Sequence, residues 1–415
     1  MLLKTGFTRL LSLFALGSVL LTSCGQEKKE DTKTLGSWRG EFSAQGKKIP
    51  FNFELHNHDG KYAVHLLNGD NNETIESVKV TADSLIIEMP VFDAKLEGAF
   101  KDGKIEGRLV KNYAEGYIIP FTAEHGKKFR FEARSGSSAN FNGRWKVKFG
   151  HYSDDRFAVG IFKQEGSKVQ GTFLTTTGDY RFLEGDVIGK TMYLSTFDGE
   201  HVYRFEGKMT EQGRIEGSYI SGLKGKNTWS AIHDESVKLP DANSLTYVTD
   251  KSQKVSLELP NINGETLSFP GEKYKNKVTV LQILGSWCPN CLDETAFLSD
   301  YYKKNKDRGL EIIGLGYERR ADFDYASKML KKLQKRYDIQ YDLVVAGKSG
   351  TKNVEKTFPM LNKIMSFPTT IILDRKGEIR NIHTGFSGPA TGKAYEDFKK
   401  EFTEKMDELL NEQPS

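Results

Sequence analysis

Two cysteines stand with two residues between them in Gly285-Ser286-Trp287-Cys288-Pro289-Asn290-Cys291. A pair at this spacing can close a disulfide and reopen as a dithiol, carrying two electrons. It follows an apolar run, Val278-Thr279-Val280-Leu281-Gln282-Ile283-Leu284, whose β-branched and aliphatic content and terminal Gly285 predict a buried strand. Beyond it, Leu292, Ala296, Phe297 and Tyr301 recur at helical spacing, so a helix begins near Pro289, a residue suited to a first turn. Cys288 therefore sits at a helix start, where the helix dipole favours the reactive thiolate. Cys291 lies one turn further in, placed to resolve a mixed disulfide. Half a zinc site is the first other reading, but it lacks a spare cysteine and the histidines are scattered. The second is a purely structural disulfide, whose short loop would constrain the unfolded chain little.

The chain of 415 residues is long enough for two to four domains. Its net charge of +4 is made of interspersed signs, with no block that points to nucleic acid or a polybasic membrane patch. Glycine and phenylalanine are abundant, as in turn-rich β structure. The third cysteine, Cys24, ends an export-like leader: Lys4 and Arg9, an apolar stretch over 10–21, then Leu21-Thr22-Ser23-Cys24. This resembles the bacterial lipoprotein cleavage motif, with 1–23 as signal peptide and Cys24 as the lipid-attachment residue. An uncleaved anchor is the alternative, though the stretch is short for a span. Either reading puts the body outside the cytoplasm, and 24–34 reads as a charged tether. With Cys24 modified, only the vicinal pair remains, so the chain is not a disulfide-stapled scaffold.

Residues 35–136 and 137–236 read as two copies of one β unit. Gly36-Ser37-Trp38-Arg39-Gly40-Glu41-Phe42 echoes Gly143-Arg144-Trp145-Lys146-Val147-Lys148-Phe149, and Val91-Phe92-Asp93 echoes Thr196-Phe197-Asp198. Leu96-Glu97-Gly98 with Gly103-Lys104-Ile105-Glu106-Gly107 matches Phe205-Glu206-Gly207 with Gly213-Arg214-Ile215-Glu216-Gly217. Matches in the same order at similar spacing indicate duplication. Alternating apolar residues, with Asp-Gly turns at 59–60, 102–103 and 198–199, predict antiparallel meanders. Two sandwiches or open barrels are expected, with the aromatic residues mainly in their cores. His56, His58 and His65 read as surface histidines, because no carboxylate partner is evident, and no metal site is expected.

Residues 237–250 read as a linker and 251–415 as an α/β domain. A hairpin around Asn263-Gly264 leads in. A second core strand at 310–315, an amphipathic helix over 321–337, a short strand at 342–345, a strand at 371–374, another at 379–382 and a closing helix over 395–410 follow. The fold class is thus multidomain: two antiparallel all-β repeats followed by an α/β domain.

Trp287-Cys288-Pro289-Asn290-Cys291 followed by Phe367-Pro368-Thr369 resembles the thioredoxin-like fold, and more closely the TlpA/ResA-like thiol–disulfide oxidoreductases. Ser286 to Glu294, Gly316-Tyr317-Glu318-Arg319 and the segment from Ile382 to Gly392 look like a subgroup of Bacteroidetes lipoproteins with this domain C-terminal. The resemblance implies that Cys288 attacks substrate disulfides, that Cys291 resolves the mixed disulfide, and that Pro368 is a cis-proline facing the pair. It implies substrate contacts by Trp287, Pro289, Asn290 and Phe367, the last by strand pairing. Glu294 matches a family acid that takes up the resolving thiol's proton, with a solvated first-turn glutamate as the alternative. Gln282 stands where thioredoxins carry a buried aspartate and cannot titrate. Ala296 replaces a family proline, so the helix is expected without its usual kink. His383 reads as a structural histidine, and Tyr317, Glu318 and Arg319 as rim or surface residues.

The expected function is a lipid-anchored envelope oxidoreductase that reduces partner-protein disulfides, with no cofactor beyond the cysteine pair. Expected partners are disulfide-containing envelope proteins, an upstream membrane thiol donor and the membrane itself, but not nucleic acid. The rival from another class is an envelope binding protein acting through its β repeats, with an accessory redox domain. A peroxidase is a lesser rival, lacking an evident peroxide-activating environment.

Overall fold

Alternation along the strands decides the first 90 described residues. In Gly36–Ala44 and Lys47–His58, inward residues such as Trp38, Phe42, Phe51, Phe53 and Leu55 are buried, and their neighbours are more exposed except Pro50 and Asn52, which are buried too. The computed structural model describes residues 35–132, 136–153 and 155–413. Cys24, the expected signal peptide and the tether lie outside them. Among the described residues no helix is long and apolar enough to cross a membrane.

Nine antiparallel strands make the first sheet, with Gly36–Ala44 between Lys47–His58 and Ile118–His125. Its edge strands, Asn71–Ile75 and Val78–Val80, are consecutive in sequence and share no ladder, so the unit is an open barrel. The second unit also has nine strands. Lys168–Thr175 pairs with Ala158–Glu165 as well as with Leu183–Ile188, so all strands but the two-residue Gly178–Asp179 close into a ring of eight. Of the two sandwiches or open barrels expected, one is an open barrel and the other is closed.

The repeat is structural. Trp38 pairs with His125 and Trp145 with His233, with ring centroids 5.0 and 4.9 Å apart. The repeated glycines also correspond: Gly98 faces Gly107, and Gly207 faces Gly217. A Cβ on Gly107 would lie 2.7 Å from the Phe121 ring, and one on Gly217 2.5 Å from the Trp229 indole. In each barrel the glycines make room for an aromatic ring on the next strand.

The barrels pack side by side. Phe197 of the second enters the first barrel's core, 5.0 Å from the Phe42 ring. The buried Arg130 guanidinium donates to Leu67 O and Asn68 Oδ1 of the first barrel and to Glu184 Oε2 of the second. The 237–250 stretch is packed too: Val237 and Thr246 are buried, and Val248 bridges to Leu361.

The C-terminal domain is a five-stranded sheet in the order Asp342–Lys348, Leu310–Glu318, Val278–Leu284, Thr369–Leu373, Ile379–Thr384. The first three are parallel and the last two antiparallel. Helix α1 (Pro289–Asn305) follows the fully buried central strand after the four-residue corner 285–288, and α2 (Phe323–Tyr337) follows the next. A short helix α3 (Thr351–Thr357) was not expected: only Val354 is buried in it, so it carries no apolar period. Helix α4 (Lys393–Asn411) closes the chain.

Candidate functional site

The central strand delivers the chain through Gly285 to the start of α1, and the thiols sit on that corner. Cys288 is the N-cap with extended backbone, Pro289 opens the helix, and the Cys288 sulfur accepts from the Cys291 N–H at 3.2 Å. The cysteines are joined in a disulfide with Cα atoms 5.2 Å apart. Cys288 retains 5% exposure and Cys291 none, so a reagent can reach only the first sulfur. The Phe367 carbonyl oxygen lies 3.5 Å from that sulfur, and the Phe367–Pro368 peptide is cis. A second cis bond, Phe269–Pro270, lies in the lead-in hairpin and had no sequence signal.

Behind the pair is a buried polar cluster. Glu294 Oε1 accepts from the Thr370 hydroxyl at 2.7 Å and Oε2 from the Gln282 amide at 2.8 Å. Gln282 also reaches Thr295 and accepts from the Tyr341 hydroxyl at 3.4 Å. Burial pushes the Glu294 carboxyl up to about 7, against the two hydrogen bonds that favour its anion. This glutamate is not the solvated first-turn residue of the alternative reading. Glu318 is another buried carboxyl, accepting from Ser286 N and Oγ at 2.8 Å each, and burial also pushes it up to about 7. The expectation that Tyr317 and Glu318 lie on a rim or surface is corrected. Their strand runs on to 318, and both are 1% exposed. His383 is half-buried on the edge strand Ile379–Thr384, with its ring 5.1 Å from Phe398 of α4 and Nδ1 3.2 Å from Asn243 Oδ1; desolvation lowers it to about 4.

The front of the site is built jointly with the second barrel. Trp287, Cys288, Pro289, Asn290 and Phe367 line one side of a cleft of about 370 Å³. Tyr152, Tyr180, Tyr203 and His201 line the other. All four residues expected to contact substrate therefore surround Cys288 in one space, while Cys291 and Glu294 lie behind it. The barrel's 176–181 turn fixes this wall. Arg181 grips Asp293 of α1 with two hydrogen bonds, 2.8 and 3.1 Å. Asp179 accepts from Gly388 N at 2.7 Å, and burial, with Asp293 nearby, pushes it up to about 7. Gly178 comes so close to Asn290 that a Cβ there would meet Oδ1 at 2.6 Å. Sequence reasoning missed Asp179, Arg181 and the three tyrosines. Gly178-Asp179 answers Gly69-Asp70 of the first repeat, so the signal was confined to Tyr180-Arg181, which stand where the first repeat has Asn71-Asn72.

A second tie joins all three units. Glu200 Oε1 of the second barrel accepts from Lys111 and Tyr113 of the first and from Arg319 at 2.8 Å. The Arg319 guanidinium lies 4.1 Å over Tyr113 and 5.0 Å over Trp287. Arg319→Ala leaves Glu200 two partners, so a modest loss of about 1–2 kcal/mol is expected. A differential scan would show a midpoint lower by a few degrees, and an unchanged midpoint would refute the tie.

The sequence comparisons agree with this geometry. The Redoxin family model matches residues 237–397, beginning inside the stretch read as a linker. The thiol-disulfide oxidoreductase ResA of Bacillus thuringiensis subsp. konkukian is 24% identical over 162 residues, 38% of this chain and 83% of that protein. The thiol:disulfide interchange protein DsbE of Vibrio cholerae is 27% identical over 140 residues, 32% of this chain and 67% of that protein. Among solved structures, the C-terminal domain of a putative thiol-disulfide oxidoreductase from Bacteroides thetaiotaomicron aligns at 21% identity and a TM-score of 0.30, covering 40% of this chain and 100% of that one. A vicinal cysteine pair at a strand-to-helix corner, beside a cis-proline and inside a Redoxin match, makes this C-terminal region a thioredoxin-like domain of the TlpA/ResA type and the protein a thiol–disulfide oxidoreductase.

Proposed function

We propose that the protein is a lipid-anchored reductase of disulfides in envelope proteins. The observation that carries this reading is the asymmetry of the pair: Cys288 opens onto a cleft and Cys291 is sealed behind it. In the reduced enzyme, the Cys288 thiolate attacks one sulfur of a substrate disulfide. A Cys288–substrate bond forms, the substrate S–S bond breaks, and one substrate thiolate leaves. Cys291, losing its proton to Glu294, then attacks the Cys288 sulfur. The second substrate thiolate departs, and two electrons have passed to the substrate. A membrane thiol donor would restore the dithiol. No cofactor beyond the sulfurs is needed for this exchange. Anchoring through Cys24 and location in the envelope rest on the leader sequence alone.

The cleft supports a substrate segment entering between the redox domain and the second barrel, against Phe367 on one side and the tyrosines on the other. This also bears on the rival reading, in which the barrels bind and the redox domain is accessory. A barrel that walls the cleft serves both acts at one place. Cys291→Ser tests the proposal in cells: partners should accumulate as mixed disulfides on Cys288, released by reductant and identifiable by mass. If no thiol-sensitive adduct forms while the variant remains folded, the proposal fails.

A further inference from the structure

The outer face of the first barrel carries a group that the redox chemistry does not use. Glu54 and His56 are alternate residues of Lys47–His58, so both point outward. The next strand, Lys61–Asn68, places His65 directly opposite Glu54 and diagonal to His56. A carboxylate, the feature missing from the sequence reading of these histidines, is therefore present two residues upstream. The ligand-capable atoms of all three side chains lie within 4.8 Å of one another. The two imidazole rings are 4.5 Å apart, and His56 Nε2 is 3.4 Å from Glu54 Oε2.

We propose that Glu54, His56 and His65 form a binding site for a divalent transition cation of the zinc class. Two observations besides proximity point to an ion. His56 Nε2 is shielded from solvent, yet it has no hydrogen-bond partner. Glu54 is held from behind: Ser37 on the other neighbouring strand donates to Oε1 at 3.0 Å, which leaves Oε2 toward the histidine. Two imidazoles and one carboxylate suit zinc, copper(II) or nickel, and no thiolate is present to favour a softer ion. Zinc bonds of ~2.0–2.1 Å need donors roughly 3.3 Å apart, so side-chain rotation alone closes the site. The set fills three positions and leaves a fourth for water or an exogenous ligand. His58 stands apart from the set: its ring is 6.4 Å from that of His56, and it faces Lys61 across the ladder.

The test uses the full chain without an affinity tag, oxidised and then alkylated so that no thiol competes. Zinc is titrated against a chromophoric chelator, and cobalt is added separately for its absorption spectrum. One equivalent of zinc should bind, with cobalt bands of a four- or five-coordinate N/O site. His56→Ala and His65→Ala should each weaken binding by at least about tenfold, while His58→Ala should not. Circular dichroism checks each fold, and His65→Gln replaces any alanine variant that unfolds. Absence of saturable binding would overturn the proposal. So would one-equivalent binding that survives both histidine substitutions, or that is lost with His58.

Discussion

Cys288→Ser is expected to reduce the insulin-reductase rate to that of the buffer dithiol alone, with the thermal midpoint close to that of the reduced parent. The geometry gives the reason. Only Cys288 has exposure to the cleft, and it alone stands at the N-cap of a 17-residue helix. There the Cys291 N–H points at its sulfur from 3.2 Å. Unpaired helix N–H groups favour the anion, and the anion is the nucleophile. Serine keeps the size and the N-cap but offers no sulfur to form a mixed disulfide. In the reduced parent, iodoacetamide at pH 7 should label Cys288 faster than a free cysteine and leave Cys291 untouched. The helix end is the stabilising group, and the nearby Arg319 guanidinium is committed to Glu200. Residual turnover in Cys288→Ser, or equal labelling of the two cysteines, would refute this assignment.

The corner that holds this thiol was legible because its determinants are local. A mostly apolar run, a glycine, and a proline-led amphipathic segment lie within a few residues of each other. The β repeats were legible for a similar reason, since Trp38 and Trp145 mark the same place in each copy. Closure of the second barrel was not. It depends on Lys168–Thr175 keeping a ladder with Leu183–Ile188 beyond the intervening turn, where the first barrel's edge strands share none, and alternation along single strands does not encode that. The cleft wall was hidden by distance: Arg181 and Asp293 are 112 residues apart in sequence, and Arg319 and Glu200 are 119. The carboxylate beside His56 was in view, two residues away. It becomes a partner only once the strand's alternation puts both on one face and its neighbour brings His65 across. Burial of Glu294 also needed the fold, because helical spacing alone leaves a second-turn glutamate as readily in water.

Glu294→Gln separates a proton-handling role from a packing role at the same position. Glutamine keeps the shape, and the Thr370 hydroxyl can turn to meet either amide atom, so the fold should be retained. The wild-type carboxyl is pushed up to about 7 by burial, from an ordinary value of 4.5. Between those limits the native state holds a proton that the unfolded state has released, so wild-type stability falls as pH rises through this window. The cost is absent below pH 4.5, grows to roughly 3 kcal/mol and is flat above about 7. At pH 5 the parent and Glu294→Gln should therefore melt at similar temperatures, and at pH 8 the variant should melt higher. Activity should move the other way. Glutamine cannot accept the Cys291 proton, so resolution of the mixed disulfide should slow by about a hundredfold. The inflection near pH 7 in the wild-type resolution rate should also vanish. Glu318 is pushed to a similar value, but it is tied to Ser286 rather than to the cluster behind the pair. Glu318→Gln should accordingly keep the inflection that Glu294→Gln loses. A variant that is more stable at pH 8 yet resolves at the parental rate, with the inflection intact, would leave Glu294 as packing and require another acceptor for the thiol proton.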